Sequence, residues 1–388
     1  MISVFDGKDN CCGCTACKHI CPTSAIEMVP DNEGFLYPEI DQGLCVDCGL
    51  CKETCVFQNG LDGLDNSTTL EVYAVKHRNE NIRMSSTSGG AFTAISDYIL
   101  QNSGVVYGVK FDDDLNVIHI AAKSVDERDK FRGSKYVQSN LNDVYKEVAH
   151  LLTRDILVLF TGTPCQTAGL KYFLSKMKID TYKLTLCDIV CHGVPSPLMW
   201  KEHIKHIEKK FKRKVINYYC RHKVRGWHSH NEMAVFEDDT KEYKSPLIQL
   251  HKRLFYTNTI LRPACYNCRY SSIVRPSDIT IADFWGIEKT MPEIDDDKGV
   301  SLVLVNTQKG KSVFNSLSTI YKWESSIEDC LQPNLINPTK EPLNREQFWQ
   351  DYYQNGFKFV AKKYAGYNLN NIVKRKLKRA LQNVGLLS

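Results

Sequence analysis

The feature that most constrains this chain is a run of cysteines that occurs twice near its start. Nine of its sixteen cysteines lie within the first 55 residues. The first run reads "CCGCTACKHICP" over residues 11–22, and the second reads "CVDCGLCKETCV" over residues 45–56. Each run contains the spacing Cys-x2-Cys-x2-Cys-x3-Cys. This repeat predicts two metal centres, each held by four sulfur atoms.

The spacing also indicates which cysteines share a centre. Three cysteines at x2 intervals wrap a tight loop around three corners of a cube, and the fourth leads away to the other cube, as in two-cluster bacterial ferredoxins. We therefore predict a two-cluster ferredoxin domain over residues 1–57. Its first set is Cys11, Cys14, Cys17 and Cys55, and its second set is Cys21, Cys45, Cys48 and Cys51. Cys12 is out of register and is interpreted as a spectator. Two structural zinc sites are the alternative, because cysteine pairs also bind zinc.

Composition indicates a soluble globular protein. Hydrophobic residues make up 43% of the chain and charged residues 24%, which is ordinary for such proteins. No apolar run approaches the roughly 18 residues that would span a bilayer, and "MISVFDGKDN" does not resemble a secretory signal. We expect a cytoplasmic protein, in which cysteines serve as metal ligands or catalysts more often than as disulfides. Residues 352–388 contain eight Lys or Arg and no acid, so the remainder is mildly acidic, which argues against nucleic-acid binding.

After a linker at residues 58–69, predicted strands and helices alternate. Apolar runs of strand length include "VYAVKH", "DILVLF", "TYKLTLCDIV" and "GVSLVLVNT". Amphipathic stretches such as "GGAFTAISDYILQN" and "TAGLKYFLSKM" predict helices. The expected fold class is α+β or α/β, a small ferredoxin-like domain fused to a mixed body with a partly parallel sheet. We divide this body into residues 70–152 and 153–330, followed by an extension over residues 331–388.

Four cysteines in loops of the body form a third candidate set. They are Cys165, Cys191, Cys265 and Cys268. Cys165 stands at the start of a predicted helix, a position that favours the thiolate. Cys187 competes with Cys191 for one position. The spacing alone leaves open whether this third set holds a 4Fe–4S cluster or a zinc ion.

The ordered stretches "TSGGAFTAISDYIL", "GVVYGVKFD", "RGSKYVQS", "FTGTPCQTAGLK", "CHGVPSP", "RPACYNC" and "SDITIADFWG" resemble the coenzyme F420 hydrogenase/dehydrogenase beta-subunit family. The resemblance covers residues from about 71 to 310, with the ferredoxin domain in front as in many members. It implies an iron–sulfur flavoprotein with FAD in the body. It also implies a third 4Fe–4S cluster on the third set.

The resemblance assigns flavin contacts as well. From the residues alone, the stretch 88–90 at the start of a predicted helix favours an anion, with a plain turn as the alternative. The family implies that this loop and the stretch "RGSKYVQS" face the flavin. The implied contacts are Ser88, Gly89, Gly90, Arg132, Ser134, Lys135 and Tyr136. Lys135 is the predicted catalytic residue, since a lysine near a flavin stabilises the negative charge that develops on reduction; a solvated surface lysine is the alternative.

The stretch "RGWHSH" at residues 225–230 is also similar to one in many members. Trp227 could stack on a planar ligand or anchor the core, and His228 and His230 could titrate or donate hydrogen bonds. We expect Asp283 and Trp285 to brace the loop of the third set.

The predicted function is an oxidoreductase that passes electrons between a hydride carrier at FAD, deazaflavin-like or nicotinamide, and one-electron carriers through 4Fe–4S clusters. The alternative is an electron-transfer subunit without a substrate, docked on a larger redox enzyme. A redox protein or a small hydride carrier is the expected partner. The terminal stretch "LNNIVKRKLKRALQNVGLL" predicts a basic amphipathic helix that contacts an anionic membrane or an acidic partner, or packs lightly on the body.

Overall fold

The computed structural model describes residues 3–59 and 70–368. The strands are β1 Ile26–Pro30, β2 Leu36–Ile40, β3 Glu71–His77, β4 Val105–Phe111, β5 Val117–Ala122, β6 Val158–Gly162, β7 Leu184–Ile189, β8 Val215–His222, β9 Asn231–Phe236, β10 Lys241–Glu242, β11 Ile279–Asp283, β12 Ser301–Val305 and β13 Ile320–Ser325. The α-helices are α1 Ala16–Ile20, α2 Leu50–Glu53, α3 Glu80–Ser85, α4 Ala91–Gln101, α5 Val125–Asp129, α6 Val144–Leu152, α7 Pro164–Lys176, α8 Pro197–Phe211, α9 Leu250–Phe255, α10 Ile287–Thr290, α11 Gln308–Asn315, α12 Ile327–Cys330, α13 Pro333–Ile336, α14 Arg345–Asn355 and α15 Phe357–Ala365.

An eight-stranded mixed sheet forms the centre of the body. Its strand order is β13-β3-β12-β11-β7-β6-β4-β5. Strands β11, β7, β6 and β4 are parallel neighbours, and the outer pairings are antiparallel. The predicted mixed α/β fold with a partly parallel sheet is confirmed.

Both faces of this sheet are covered at its centre, which explains why central strands such as β6, β7 and β12 are largely apolar runs. Alternate residues of β6 point to opposite sides: Val158 and Phe160 pack against α6 and α7, whereas Leu159 packs against α4. Every residue of β12 is buried. A strand buried on both faces has no polar face, so the sequence shows no alternation there.

A second sheet of three strands, ordered β10-β9-β8, supports the rest of the body. Helices α8 and α9 pack beside it with α14 and α15 in one apolar core. The described part of the predicted extension, up to residue 368, thus packs on the body through Phe348, Trp349 and Phe357. The predicted basic amphipathic helix lies in residues 369–388, outside the described residues.

The front domain consists of the β1–β2 hairpin with helices α1 and α2. Ala16 and Ile20 of α1 share a buried core with Leu170 and Phe173 of α7. The body therefore supplies much of the apolar surface that a domain of this size needs. Within the described ranges, no helix is both long enough and apolar enough to cross a membrane.

Candidate electron-transfer centres

The first set of cysteines converges beside α1. Cys17 lies in this helix, and its pKa is raised well above the usual value by burial, by the nearby thiolates of Cys14, Cys11 and Cys55, and least by Cys51 of the second set. The loop before α1 turns tightly, with positive φ at Gly13 and Thr15. All four predicted members of the first set are therefore neighbours, and Cys14 and Cys17 are buried.

The second set lines one shared pocket near the surface. Cys21, the fourth cysteine of the first run, lies there with Cys45, Cys48 and Cys51. The backbone N–H of Ala25 donates to Cys21 Sγ at 3.3 Å, a contact of the kind that tunes iron–sulfur clusters. The structure thus brings together the same exchanged groups of four that the spacing predicts.

The third set converges at the ends of the central parallel strands. Burial raises the pKa of Cys191 well above its usual value, and the thiolates of Cys265, Cys165 and Cys268 add to that rise. The N–H of Val194 donates to Cys265 Sγ at 3.4 Å. All four predicted members of the third set therefore lie together.

Cys187, the competitor for Cys191, lies elsewhere. It is a buried residue of β7 on the face covered by α4. Its pKa is raised by burial and by the carboxylates of Asp188 and Asp278, not by other thiolates. The geometry therefore places Cys191 and not Cys187 in the third set.

Cys12 lies between the first and third sets. The sequence analysis interpreted it as a spectator and did not predict this position. Its thiol lies next to those of Cys14 and Cys165, and these neighbours together with burial raise its pKa well above the usual value. The neighbouring Cys12 thiol is also the main reason that the pKa of Cys165 falls to about 7. Cys14, Cys165 and Cys268 all adjoin one apolar core. The first and third sets are therefore in direct contact through one buried side chain.

The chemistry of these donors fits iron–sulfur clusters. Each set consists of four thiols, which suit either a 4Fe–4S cluster or zinc. All of them except Cys48 are buried or partly buried, and backbone N–H groups point at the sulfur atoms of Cys21 and Cys265. Burial and N–H···S contacts are the factors that set cluster potentials.

The predicted flavin loop faces inward. Ser88 Oγ donates to the carbonyl of Val300 at 2.7 Å, and a Cβ on Gly89 would lie 2.1 Å from the carbonyl oxygen of Val75. Gly90 has φ +93° and packs on His77. The N–H groups of Gly89 and Ala91 point at the Ser301 hydroxyl at 2.9 and 3.5 Å. This loop therefore owes its glycines to close packing, and the start of α4 already has a hydroxyl partner.

The second predicted flavin segment folds against the first. Arg132 Nη1 donates to Ser85 Oγ at 3.2 Å, and the backbone N–H of Ser134 donates to Thr87 Oγ1 at 3.0 Å. Tyr136 and Cys265 of the third set pack against the same small apolar cluster. The 132–136 segment therefore leads from the serine-rich loop to the cluster that borders the third set.

Lys135 occupies a position that neither reading of the sequence foresees. Its ammonium donates to the carbonyls of residues 130, 131 and 132 at 3.0, 3.1 and 3.0 Å. Burial lowers its pKa to about 7. Its three N–H donors are thus used in holding the turn after α5, and its role toward a flavin stays a prediction.

Lys223 is a functional candidate that the sequence reading missed. Its ammonium donates to the carbonyls of Arg83, Ser88 and Lys298 at 2.8, 2.7 and 2.6 Å. It therefore holds the predicted flavin loop in place through the carbonyl of Ser88. Its place just before the "RGWHSH" stretch is the one signal that could have indicated it.

The "RGWHSH" stretch is anchored in the core. Trp227 is 1% exposed, donates to Asp283 Oδ1 at 2.7 Å and stacks on Trp285 with ring centroids 4.9 Å apart. The structure therefore favours the core-anchor reading of Trp227.

Asp283 and Trp285 brace this stretch rather than the third set, which differs from our expectation. His228 bonds to Asp295 at 2.8 Å, and His230 to the Tyr256 hydroxyl at 3.1 Å.

Two segments of the chain match models of known protein families. Residues 156–327 match the family defined by the C-terminal part of the beta subunit in coenzyme F420 hydrogenase/dehydrogenase. The resemblance to the beta-subunit family is confirmed. Residues 10–59 match the "4Fe-4S dicluster domain", so the front domain is an iron–sulfur module and the zinc alternative is not supported there. The beta-subunit segment includes all four cysteines of the third set.

Two individual proteins are also similar. An uncharacterized ferredoxin from Methanocaldococcus jannaschii is 39% identical over 46 residues, which are 12% of this chain. The match spans a quarter of that ferredoxin's length. A chain of the F420-reducing NiFe hydrogenase complex from Methanosarcina barkeri, studied with xenon, has a TM-score of 0.47 and 17% identity, over 79% of this chain and 92% of that one.

Proposed function

We propose that this chain is an oxidoreductase subunit that moves electrons between a two-electron carrier in the body and a redox protein at the front domain. The proposal depends chiefly on one observation, the contact of Cys12 with both Cys14 and Cys165. That contact supports a direct step between a third cluster and the first cluster. The second set lies in the same small domain and opens to the surface.

Support for a flavin comes from the second segment rather than from the helix start. Arg132, Ser134 and the hydroxyls of residues 85–87 form a polar wall. Tyr136 packs against the same apolar cluster as Cys265. A flavin held there would exchange two electrons as hydride on one side and single electrons with a cluster on the other. Lys223 and Lys135 would position the two loops, since each ammonium bonds three carbonyls.

The redox partner would dock at the second set. Leu44 and Val46 beside it are 52% and 62% exposed, and Cys48 is exposed as well. Asp41 and Asp47 are exposed near them. An apolar patch with an acidic rim favours a partner with a basic face.

The test is anaerobic quantification of iron, sulfide, zinc and flavin on the purified full chain, followed by reduction with NAD(P)H or a reduced deazaflavin. We expect about twelve irons, from three clusters of four, and about one FAD. Full iron without flavin would favour the alternative of an electron-transfer subunit that lacks a substrate. A colourless, zinc-containing protein would contradict the proposal.

A further inference from the structure

Arg262 is a buried cation without a carboxylate partner. Three arginines among residues 3–59 and 70–368 are the largest fully buried cations, namely Arg128, Arg262 and Arg275. Arg128 pairs with Asp97 at 2.6 Å, and Arg275 pairs with Asp188 at 2.9 Å. In the described structure no Asp or Glu oxygen lies within 4.0 Å of the Arg262 guanidinium. A buried charge left uncompensated is costly, so this one needs a counter-charge.

The guanidinium instead contacts both the backbone carbonyl and the sulfur of Cys11, a cysteine of the first set. Its Nε donates to the carbonyl of Cys11 at 2.6 Å, and Nη2 points at Cys11 Sγ at 3.6 Å. Nη2 also donates to the carbonyl of Leu36 at 2.9 Å, and Nη1 to Gln138 Oε1 at 2.8 Å. The Tyr37 ring lies 4.1 Å from the guanidinium carbon. These contacts fix the position of the charge beside the sulfur.

The absence of a side chain at Gly13 leaves room for the Arg262 guanidinium. Gly13 lies between two cysteines of the first set, and a Cβ there would lie 2.8 Å from Arg262 Nη1 and 2.9 Å from Gln138 Nε2. The backbone of Arg262 belongs to the loop of the third set, because its N–H donates to Val194 and its carbonyl accepts from the N–H of Cys265. One residue therefore extends from the third set to the first.

We propose that Arg262 is the built-in counter-charge of the first cluster and raises that cluster's reduction potential. A cluster gains a negative charge when it accepts an electron, and a fixed cation in a low-dielectric site stabilises the reduced form. The cation thereby favours the reduced form of the first cluster. This inference rests on the proposed function only in assigning clusters to these two sets.

The experiment is an EPR-monitored redox titration of the full chain with Arg262→Gln, Arg262→Lys and Arg269→Gln. Arg269 is an exposed arginine next to Cys268, so its replacement removes the same charge where water screens it. For Arg262→Gln we expect at least a tenfold lower equilibrium constant for reduction of the first cluster, equivalent to about 59 mV for one electron. Arg262→Lys should retain most of the potential, and Arg269→Gln should change it far less.

Two results would overturn the proposal. One is an equilibrium constant for reduction of the first cluster in Arg262→Gln that lies within threefold of its value in the unmodified protein. The other is an equal shift in the second cluster, which would indicate a general disturbance of the domain. If Arg262→Gln loses iron, pulsed EPR on the unmodified chain labelled with 15N-arginine decides the question. We expect a guanidinium 15N coupling in the reduced first cluster, and its absence would refute the contact. A chain without any first-cluster signal would instead count against the proposed function.

Discussion

The two cluster sites of the front domain have the same spacing but opposite surroundings. The first set is enclosed by the body, with Cys14 and Cys17 each 8% exposed and Arg262 beside Cys11. The second set faces outward, with Cys48 exposed and Leu44 and Val46 uncovered. Sequence repetition thus gives two equivalent binding loops, and docking of the domain on α7 makes one an inner site and the other an outer site.

The largest effect should follow from removing a cysteine of the third set, which lies beside the inner site. Cys191→Ser should lower the iron content by about four of about twelve atoms per chain, because one cluster loses a ligand. Iron and sulfide assays with EPR spectra measure this loss.

Cys187→Ser and Cys12→Ser are the matched controls, since one thiol lies in β7 and the other between the sets. Both should retain about twelve irons. A normal iron content in Cys191→Ser would contradict the geometry of the third set.

The inner site should be sensitive to crowding from α7. A Cβ at Gly169 would lie 2.9 Å from Cys14 Sγ and 2.8 Å from the Tyr145 hydroxyl oxygen. Gly169→Ala should therefore abolish or distort the EPR signal of the first cluster while that of the second is unchanged. The exposed Ser175→Ala in the same helix serves as the control. If both cluster signals fell together in Gly169→Ala, the inner–outer distinction would be wrong.

The outer site should lose its iron first. A water-soluble iron chelator reaches the exposed Cys48 more readily than the buried Cys14. We expect a fast phase that removes about four irons and erases the second cluster's EPR signal, followed by a slower loss of the others. The time course of visible absorbance with EPR sampling measures it. A single phase for all clusters would show that the two sites are equally accessible.

The smallest effect concerns electron exchange at the outer site. Asp47→Lys should slow reduction of cytochrome c, used as a basic protein acceptor, by roughly 3- to 10-fold at low salt, because it removes electrostatic attraction. Stopped-flow mixing with the pre-reduced chain gives the rate. Asp114→Lys, an exposed change remote from the cysteines, should have little effect. The difference should vanish at high ionic strength; a salt-independent loss would point to damage of the cluster instead.

The sequence was most informative where local spacing determines geometry. The two cysteine runs predicted which residues converge, because loops of two or three residues leave few ways to arrange four sulfur atoms. The buried strands were predictable for a similar reason, since runs such as residues 301–305 are apolar throughout. The sheet order could not be read, because it depends on pairings between distant segments such as β3 and β13.

What the sequence left open or missed lies where two distant segments meet. Cys191 was predicted in the third set with Cys187 as its competitor, and the sheet places Cys187 against α4. Arg262 gave no signal, because its partners Cys11 and Leu36 lie more than 200 positions earlier. In the predicted flavin loop Gly89 fits closely against β3, and the contact of these glycines with a flavin stays a prediction.

The exchanged fourth cysteines have a consequence for how the protein matures. Cys55 and Cys21 each tie one run to the other, so two inserted cubes would act as covalent cross-links that close the front domain, as disulfides do in secreted proteins. The closed domain supplies Cys12 and Cys14 to the core shared with α7. Iron starvation would therefore weaken the packing between the front domain and the body as well as remove the electron carriers.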